Sequence, residues 1–563
     1  MTVNNKMILN LGVNFTVVYL MLIFFENLDY LTIFLILFNV LFFYLNNENN
    51  LEKITINRNY KYLYIFLIFI FVFISQNKNL QYEIISIDIP SYLVASQGID
   101  FSNLPFETQW ESKGPMFLYL YKLIQIIVGK NFVYFKIFNN LILFVISLFL
   151  FLTLEKYTKN LIISFSSSLF FLSLTSHEWY TSELSELHCL MFISIAIYFD
   201  SISDDKKDYS NVVIFLLSCS ILINQSTAIF GIIFLIKHLF FDHMRVHVKN
   251  VVKKITLFLF PHLFFTILYF YNGLFDIYFI NYFTLPFGYV QEGSFSFNEF
   301  LIWLKRIFIF NKFLFFILLY LSYNIIRHFL FDKERYNKLT LFLIFNIVGA
   351  LLIYVIGGHS YVHHLFYFLY FISLSPILIK NKIGSSFLTM VTLFAALQIF
   401  LSVFNQSFSN LSNASELQND YPLYQLSKEI DKNYNKNFTV LAFDHLLLLY
   451  YLDKENESYI IHPYNNFDNF IVEILIDSEK LKTNEMSHFS YYIEEEPDVI
   501  VCNPRAIVAG IPTKLDDPTF FNCEVSDYKK NYSKINTLDF KNNENFHFYD
   551  DPYMEISLFY KNS

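Results

Sequence analysis

The stretch that decides the fold runs Asp88-Ile89-Pro90-Ser91-Tyr92-Leu93-Val94-Ala95-Ser96-Gln97. It continues as Leu104-Pro105-Phe106-Glu107-Thr108-Gln109-Trp110-Glu111-Ser112-Lys113-Gly114-Pro115 and then Met116-Phe117-Leu118-Tyr119-Leu120-Tyr121. It is a polar loop carrying acids and a base, set between long apolar runs. Segments 89–97 and 113–129 have apolar residues at helical spacing. They are too short or too polar to cross a bilayer, which takes about 20 residues. They read as amphipathic helices lying along a membrane surface. Pro115 fixes where the second helix starts, because proline suits the first helical position, and it thereby positions Lys113.

Working outward, 55% of the chain is hydrophobic and 16% charged, which departs from a soluble average toward a membrane protein. About thirteen spans follow from hydropathy, near 8–25, 30–46, 62–75, 132–154, 160–176, 184–200, 211–223, 226–241, 255–272, 306–325, 339–356, 363–379 and 385–404. The expectation is a polytopic α-helical membrane protein with residues 1–404 as its transmembrane part and 88–131 as a large loop. The first apolar run lacks a small-residue cleavage site and reads as a retained helix. Basic clusters fall after the second span (Lys53, Arg58, Lys61), the eighth (Arg245, Lys249, Lys253, Lys254), the tenth (Arg327, Lys333, Arg335, Lys338) and the twelfth (Lys380, Lys382). All four then share one side, the cytoplasmic one. The Asp88 loop, the 273–305 loop and the tail fall on the opposite face, periplasmic or extracellular in a bacterial inner membrane. The net charge of −9 is spread out, and no basic stripe points to nucleic acid.

Residues 405–563 change character. Strand-like runs at 438–443, 458–461 and 498–502 alternate with helical patterns at 415–433, 445–451 and 466–482, which suggests a small non-cytoplasmic α/β domain. No glycine-rich phosphate loop opens these helices. Cys189 and Cys219 lie in apolar runs and read as inert core residues. Spacing leaves a Cys502–Cys523 disulfide open.

Several polar groups gather at the outer mouths of spans, and each admits two readings. Asp88 is a candidate base or a solvated loop acid. Lys113 heads an apolar helix, as a phosphate contact or a snorkelling lysine. Gln109, Trp110 and Glu111 are candidate sugar contacts or interface anchors. Glu183 and Glu186, three apart on one helix face, stand with His177, Glu178 and His188 at the start of the sixth span. His359, Tyr361, His363 and His364 stand between the eleventh and twelfth; imidazoles there suit phosphate or sugar contact, interface packing or a metal. Asp276, Asn281, Tyr282, Lys305 and Arg306 are weaker candidates for an acceptor cleft or headgroup contact.

The Asp88 loop with Tyr92, Ala95, Gly98, Pro105 and Lys113-Gly114-Pro115 resembles the first large loop of the GT-C polytopic glycosyltransferases. These are the superfamily of protein O-mannosyltransferases and lipid A aminoarabinose transferases. Ser185-Glu186 at a span head and the Gly357-to-Pro376 segment resemble later parts of that fold, and the tail resembles its C-terminal soluble domain. The resemblance implies a catalytic Asp88 and a donor phosphate held by Lys113, with His363 and His364 near it. It also implies a polyprenyl-phosphate-linked sugar as donor, a glycan, lipid or protein as acceptor, and inversion at the anomeric carbon. Here Ile89 stands where the family often has a second acid, so metal ligands are unknown and a divalent metal stays open as cofactor. The competing class is a polymerase, flippase or transporter of surface-glycan assembly. Transporters favour polar residues at the bilayer midplane, whereas here they gather at span mouths.

Overall fold

The computed structural model describes residues 58–502 and parts of 507–562. Excepted are 177–182, 204–206, 239–247, 289–294, 303–316, 327–337, 357–360, 379–381, 484–487 and scattered single or paired positions. Among the described residues, six helices are long and apolar enough to cross a bilayer: Tyr60–Gln81, Phe132–Thr158, Ser185–Ile202, Lys249–Tyr271, Leu339–Ile356 and Leu388–Ser412. Shorter apolar helices run Pro115–Val128, Leu161–Leu174, Ser210–Ile223, Gln225–Ile236 and Val362–Leu378. The expected spans at 8–25 and 30–46, and most of 306–325, lie outside the described residues. The chain is an integral membrane protein. Its helices carry large apolar side chains outward, as at Phe260 and Phe270, an arrangement that lipid favours and water does not.

Local chemistry sets the helix ends. The Asn131 side chain accepts from Tyr134 N (2.9 Å) to start Phe132–Thr158. Asn160 accepts from Ile162 N and Ile163 N (3.0 and 3.2 Å) to start Leu161–Leu174. Such caps satisfy amide donors that have no partner within the helix. In Leu161–Leu174 the hydroxyls of Ser164, Ser167 and Ser168 fold back onto carbonyls one turn earlier at 2.8–3.0 Å. With their polarity satisfied, these small residues let the helix pack closely against Arg58–Gln76, Phe132–Thr158 and Lys382–Ser412.

In the first large loop, helices Asp88–Gln97 and Pro115–Val128 pack on each other. Gly114 lets the loop meet the end of helix Ser210–Ile223. Its amide donates to Ile223 O at 3.1 Å, and a Cβ there would stand 2.0 Å from Leu222 O.

The C-terminal residues form a four-stranded sheet in the order Val440–Ala442, Val499–Cys502, Glu555–Lys561, Tyr532–Asp539. The first pair is parallel and the others antiparallel. Helices Pro422–Asn433, Leu447–Leu452, Asn469–Asp477 and His488–Glu494 accompany it. Cys502 is disulfide-bonded, Cys189 and Cys219 are free, and Cys523 lies outside the described residues.

Residues 458–461, which read as a strand, do not join this sheet. Their backbone pairs instead with the first large loop: Trp110 N donates to Tyr459 O (2.7 Å) and Ile461 N to Trp110 O (3.1 Å). An apolar triplet signals extended backbone but not its partner. Gln109 strengthens the junction, giving Nε2 to Asn456 O and receiving Asn456 N, both at 3.0 Å. Tyr459 donates its hydroxyl to Phe106 O at 2.6 Å. A second seam forms at Glu83, whose buried carboxyl group accepts from Leu423 N (2.8 Å) and Tyr424 N (3.1 Å) at the head of Pro422–Asn433.

Candidate functional site

The junction carries His462 to the first loop. Its Nε2 lies 2.8 Å from Asp88 Oδ1, with the imidazole donating when protonated there. Asp88 opens helix Asp88–Gln97, where amide dipoles favour negative charge. Burial pushes its carboxyl upward, but the hydrogen bond and charge of His462, then the charges of His363 and Lys113, outweigh it and bring it to about 2. Burial pushes His462 down, and its bond to Asp88 and that acid's charge raise it on balance. Each partner thus favours the charged form of the other: the carboxylate favours a protonated His462, and that proton favours the carboxylate. Oδ2 of Asp88 makes no hydrogen bond among the described residues.

Lys113 lies in the same loop, next to Gly114 and Pro115. It is half-buried and forms no ion pair or hydrogen bond among the described residues, yet its charge acts on both Asp88 and His462. Its place depends on its neighbours: Gly114 seats the backbone against Leu222 and Ile223, and Pro115 starts the helix.

Glu186, in the first turn of Ser185–Ile202, and His363 and His364, on the turn Val362–His364, come together next. One ligating atom from each lies within 4.8 Å of the others. His364 Nε2 is 3.7 Å from Glu186 Oε1. Asn224 Nδ2 donates to the same Oε1 at 3.0 Å, and Ser185 Oγ to Oε2 at 3.1 Å. Tyr361 stacks on His363 with ring centroids 5.5 Å apart. His363 acts electrostatically on Asp88, which joins this trio to the loop.

The remaining sequence candidates divide. Gln109 and Trp110 are buried in the junction, and the Gln109 amide is taken up by Asn456. Glu111 is buried; its Oε1 accepts from the Ser112 amide and hydroxyl, while Oε2 makes no hydrogen bond among the described residues. Glu183 is buried apart from the trio, its carbonyl accepting from the Tyr121 hydroxyl. Burial raises its carboxyl against the charge of Lys136. His188 points Nδ1 at Leu184 O at 3.1 Å. Asn281 is fully buried, and Tyr282 donates to Ile221 O at 2.9 Å. His359, His177, Glu178, Lys305 and Arg306 lie outside the described residues.

Sequence reasoning misses His462. It follows the apolar triplet Tyr459-Ile460-Ile461 and carries no motif of its own. Only the pairing of 459–461 with Trp110 delivers it to an acid 374 positions away.

The described residues take the GT-C fold. ArnT from Cupriavidus metallidurans, solved bound to undecaprenyl phosphate, has a similar structure: TM-score 0.53, covering 80% of this chain and 94% of that one. At 9% identity the likeness speaks for the fold alone. No protein-family model matches the chain, and no curated protein matches it.

Proposed function

We propose that the chain is a glycosyltransferase that moves a sugar from a polyprenyl-phosphate donor to a glycan, lipid or protein acceptor, with inversion. The observation that carries this reading is the half-buried Lys113, unpaired among the described residues, beside the ionised Asp88 on a GT-C fold. A half-buried ammonium with no hydrogen bond or ion pair among the described residues keeps its donors for a phosphate, which it meets as a point charge. The solved neighbour of this fold holds undecaprenyl phosphate.

In the proposed step the acceptor oxygen attacks the anomeric carbon, and the bond from that carbon to the phosphate oxygen breaks. The acceptor proton passes to Asp88, and polyprenyl phosphate leaves with its charge met by Lys113. A carboxylate held near 2 by His462 is a weak base, so proton transfer falls late, after carbon–oxygen cleavage has made the hydroxyl acidic. His462 holds Oδ1 and leaves Oδ2 for the acceptor. Glu111, His359 and Tyr361 are further candidates for substrate contact. The basic-cluster asymmetry supports about thirteen spans, with this site and the residues after about 405 on the non-cytoplasmic face.

The test is turnover of a labelled polyprenyl-phosphate sugar by the purified full chain with a panel of acceptors. Transfer that Asp88→Asn abolishes supports the reading. Donor binding without turnover would instead indicate a non-transferring member of surface-glycan assembly.

A further inference from the structure

We propose that Glu186, His363 and His364 bind one divalent cation of the borderline class, such as zinc or cobalt, that accepts imidazole and carboxylate together. The trio is drawn from positions 186 and 363–364, which the fold brings to one point. One ligand atom from each already lies within 4.8 Å of the others. Tetrahedral coordination at roughly 2.0–2.2 Å spaces ligand atoms about 3.4 Å apart. A contraction of about 1 Å, by side-chain rotation, closes the set.

The surroundings fit a ligated carboxylate. Ligating acids are usually held by outer hydrogen bonds that fix their direction. Glu186 has two, from Asn224 Nδ2 at 3.0 Å and Ser185 Oγ at 3.1 Å. Asn224 is itself anchored, its Oδ1 accepting from Ser226 N and Oγ at 3.1 and 2.8 Å. The two imidazoles stand edge to face, ring centroids 4.6 Å apart, so their nitrogens present different directions. His363 Nδ1 is buried and makes no hydrogen bond among the described residues. A buried polar atom left so costs about 1–3 kcal/mol, which ligation would relieve.

The same geometry disfavours direct phosphate contact by these histidines, the role the sequence suggests for them. A carboxylate oxygen 3.7 Å from the His364 nitrogen would repel an anion placed between them. A cation there satisfies all three groups.

The experiment uses the untagged full chain in detergent or nanodiscs, stripped by chelator and titrated with Co²⁺, then Zn²⁺. The expected result is one Co²⁺ per chain with visible ligand-field bands of a low-coordinate site, displaced by Zn²⁺. Glu186→Gln, His363→Gln and His364→Gln should each weaken binding by about 100-fold or more, and Asn224→Ala by about 10- to 100-fold. Thermal unfolding of the metal-free chains checks that each variant remains folded. Absence of stoichiometric binding by folded wild-type chain, or binding retained by all three ligand variants, overturns the proposal. No donor, acceptor or turnover enters the measurement, so its failure leaves the transferase reading standing, and the reverse holds too.

Discussion

His462→Ala tests whether the C-terminal region takes part in the chemistry or merely sits beside it. The substitution removes the 2.8 Å donor to Asp88 and leaves the acid partly enclosed, its side chain 25% exposed. Asp88 sits near 2 instead of its ordinary 3.8. At 1.36 kcal/mol per pKa unit, the net stabilisation of its charge is on the order of 2 kcal/mol. A hydrogen bond to a charged group is worth about 1.5–3 kcal/mol, so loss of aim should lower kcat by about 10- to 100-fold. The pH profile gives the sharper readout. A depressed pKa means that the wild-type acid stays ionised, and its contribution to stability persists, until pH falls through about 2. Without His462, burial is opposed only by Lys113 and His363, and the carboxyl rises toward or past its ordinary range. The acid limb of kcat should therefore appear at about pH 4–6 in the variant, where wild type stays flat. His462→Gln keeps a donor without the charge and should recover part of kcat and of the shift. Steady-state transfer across pH, with thermal unfolding as the folding control, decides it. An unchanged acid limb in a folded His462→Ala chain would refute the coupling.

Other outcomes follow from the same geometry. Asp88→Asn should lose about 10²- to 10⁴-fold in turnover at saturating donor while remaining inserted and folded, as measured by single-turnover transfer and unfolding. Lys113→Ala should mainly raise the donor KM, with turnover partly recovered by added donor; a pure kcat loss would contradict ground-state phosphate contact. Gly114→Ala drives a Cβ to 2.0 Å from Leu222 O, so it should destabilise the loop by about 1–3 kcal/mol and weaken donor binding through Lys113, visible as faster proteolysis of the loop. Burial raises the Glu83 carboxyl to about 8 despite its two amide donors. Because the folded value lies above the ordinary 4.5, docking of Pro422–Asn433 should be tightest below about 4.5 and weaken as pH rises toward 8. Glu83→Gln should flatten that dependence in thermal unfolding.

Much of the fold is local and so readable along the chain. Twenty-residue apolar runs must bury their backbone polarity in helices within lipid, whatever else surrounds them. Pro115 and the periodicity around it mark a helix that the structure places at Pro115–Val128, and the pattern at 89–97 matches Asp88–Gln97. Asp88, Lys113, Glu186, His363 and His364 stand out because ionisable side chains at span mouths are costly to keep without a use.

The tertiary structure decided which of those groups meet. Glu186 joins His363 and His364 because Ser185–Ile202 and the turn at Val362–His364 end at one place, while Glu183, three residues earlier, turns to a separate buried environment near Lys136. Gln109 and Trp110 read as sugar contacts or interface anchors, yet they are occupied by the 456–461 backbone. His462 reaches Asp88 only because the Tyr459-to-Ile461 segment pairs with the loop in place of its own sheet. Helix formation answers to neighbours three and four residues away, which a sequence displays. The pairing of an acid with a base across 374 residues answers to packing of the whole chain, which it does not.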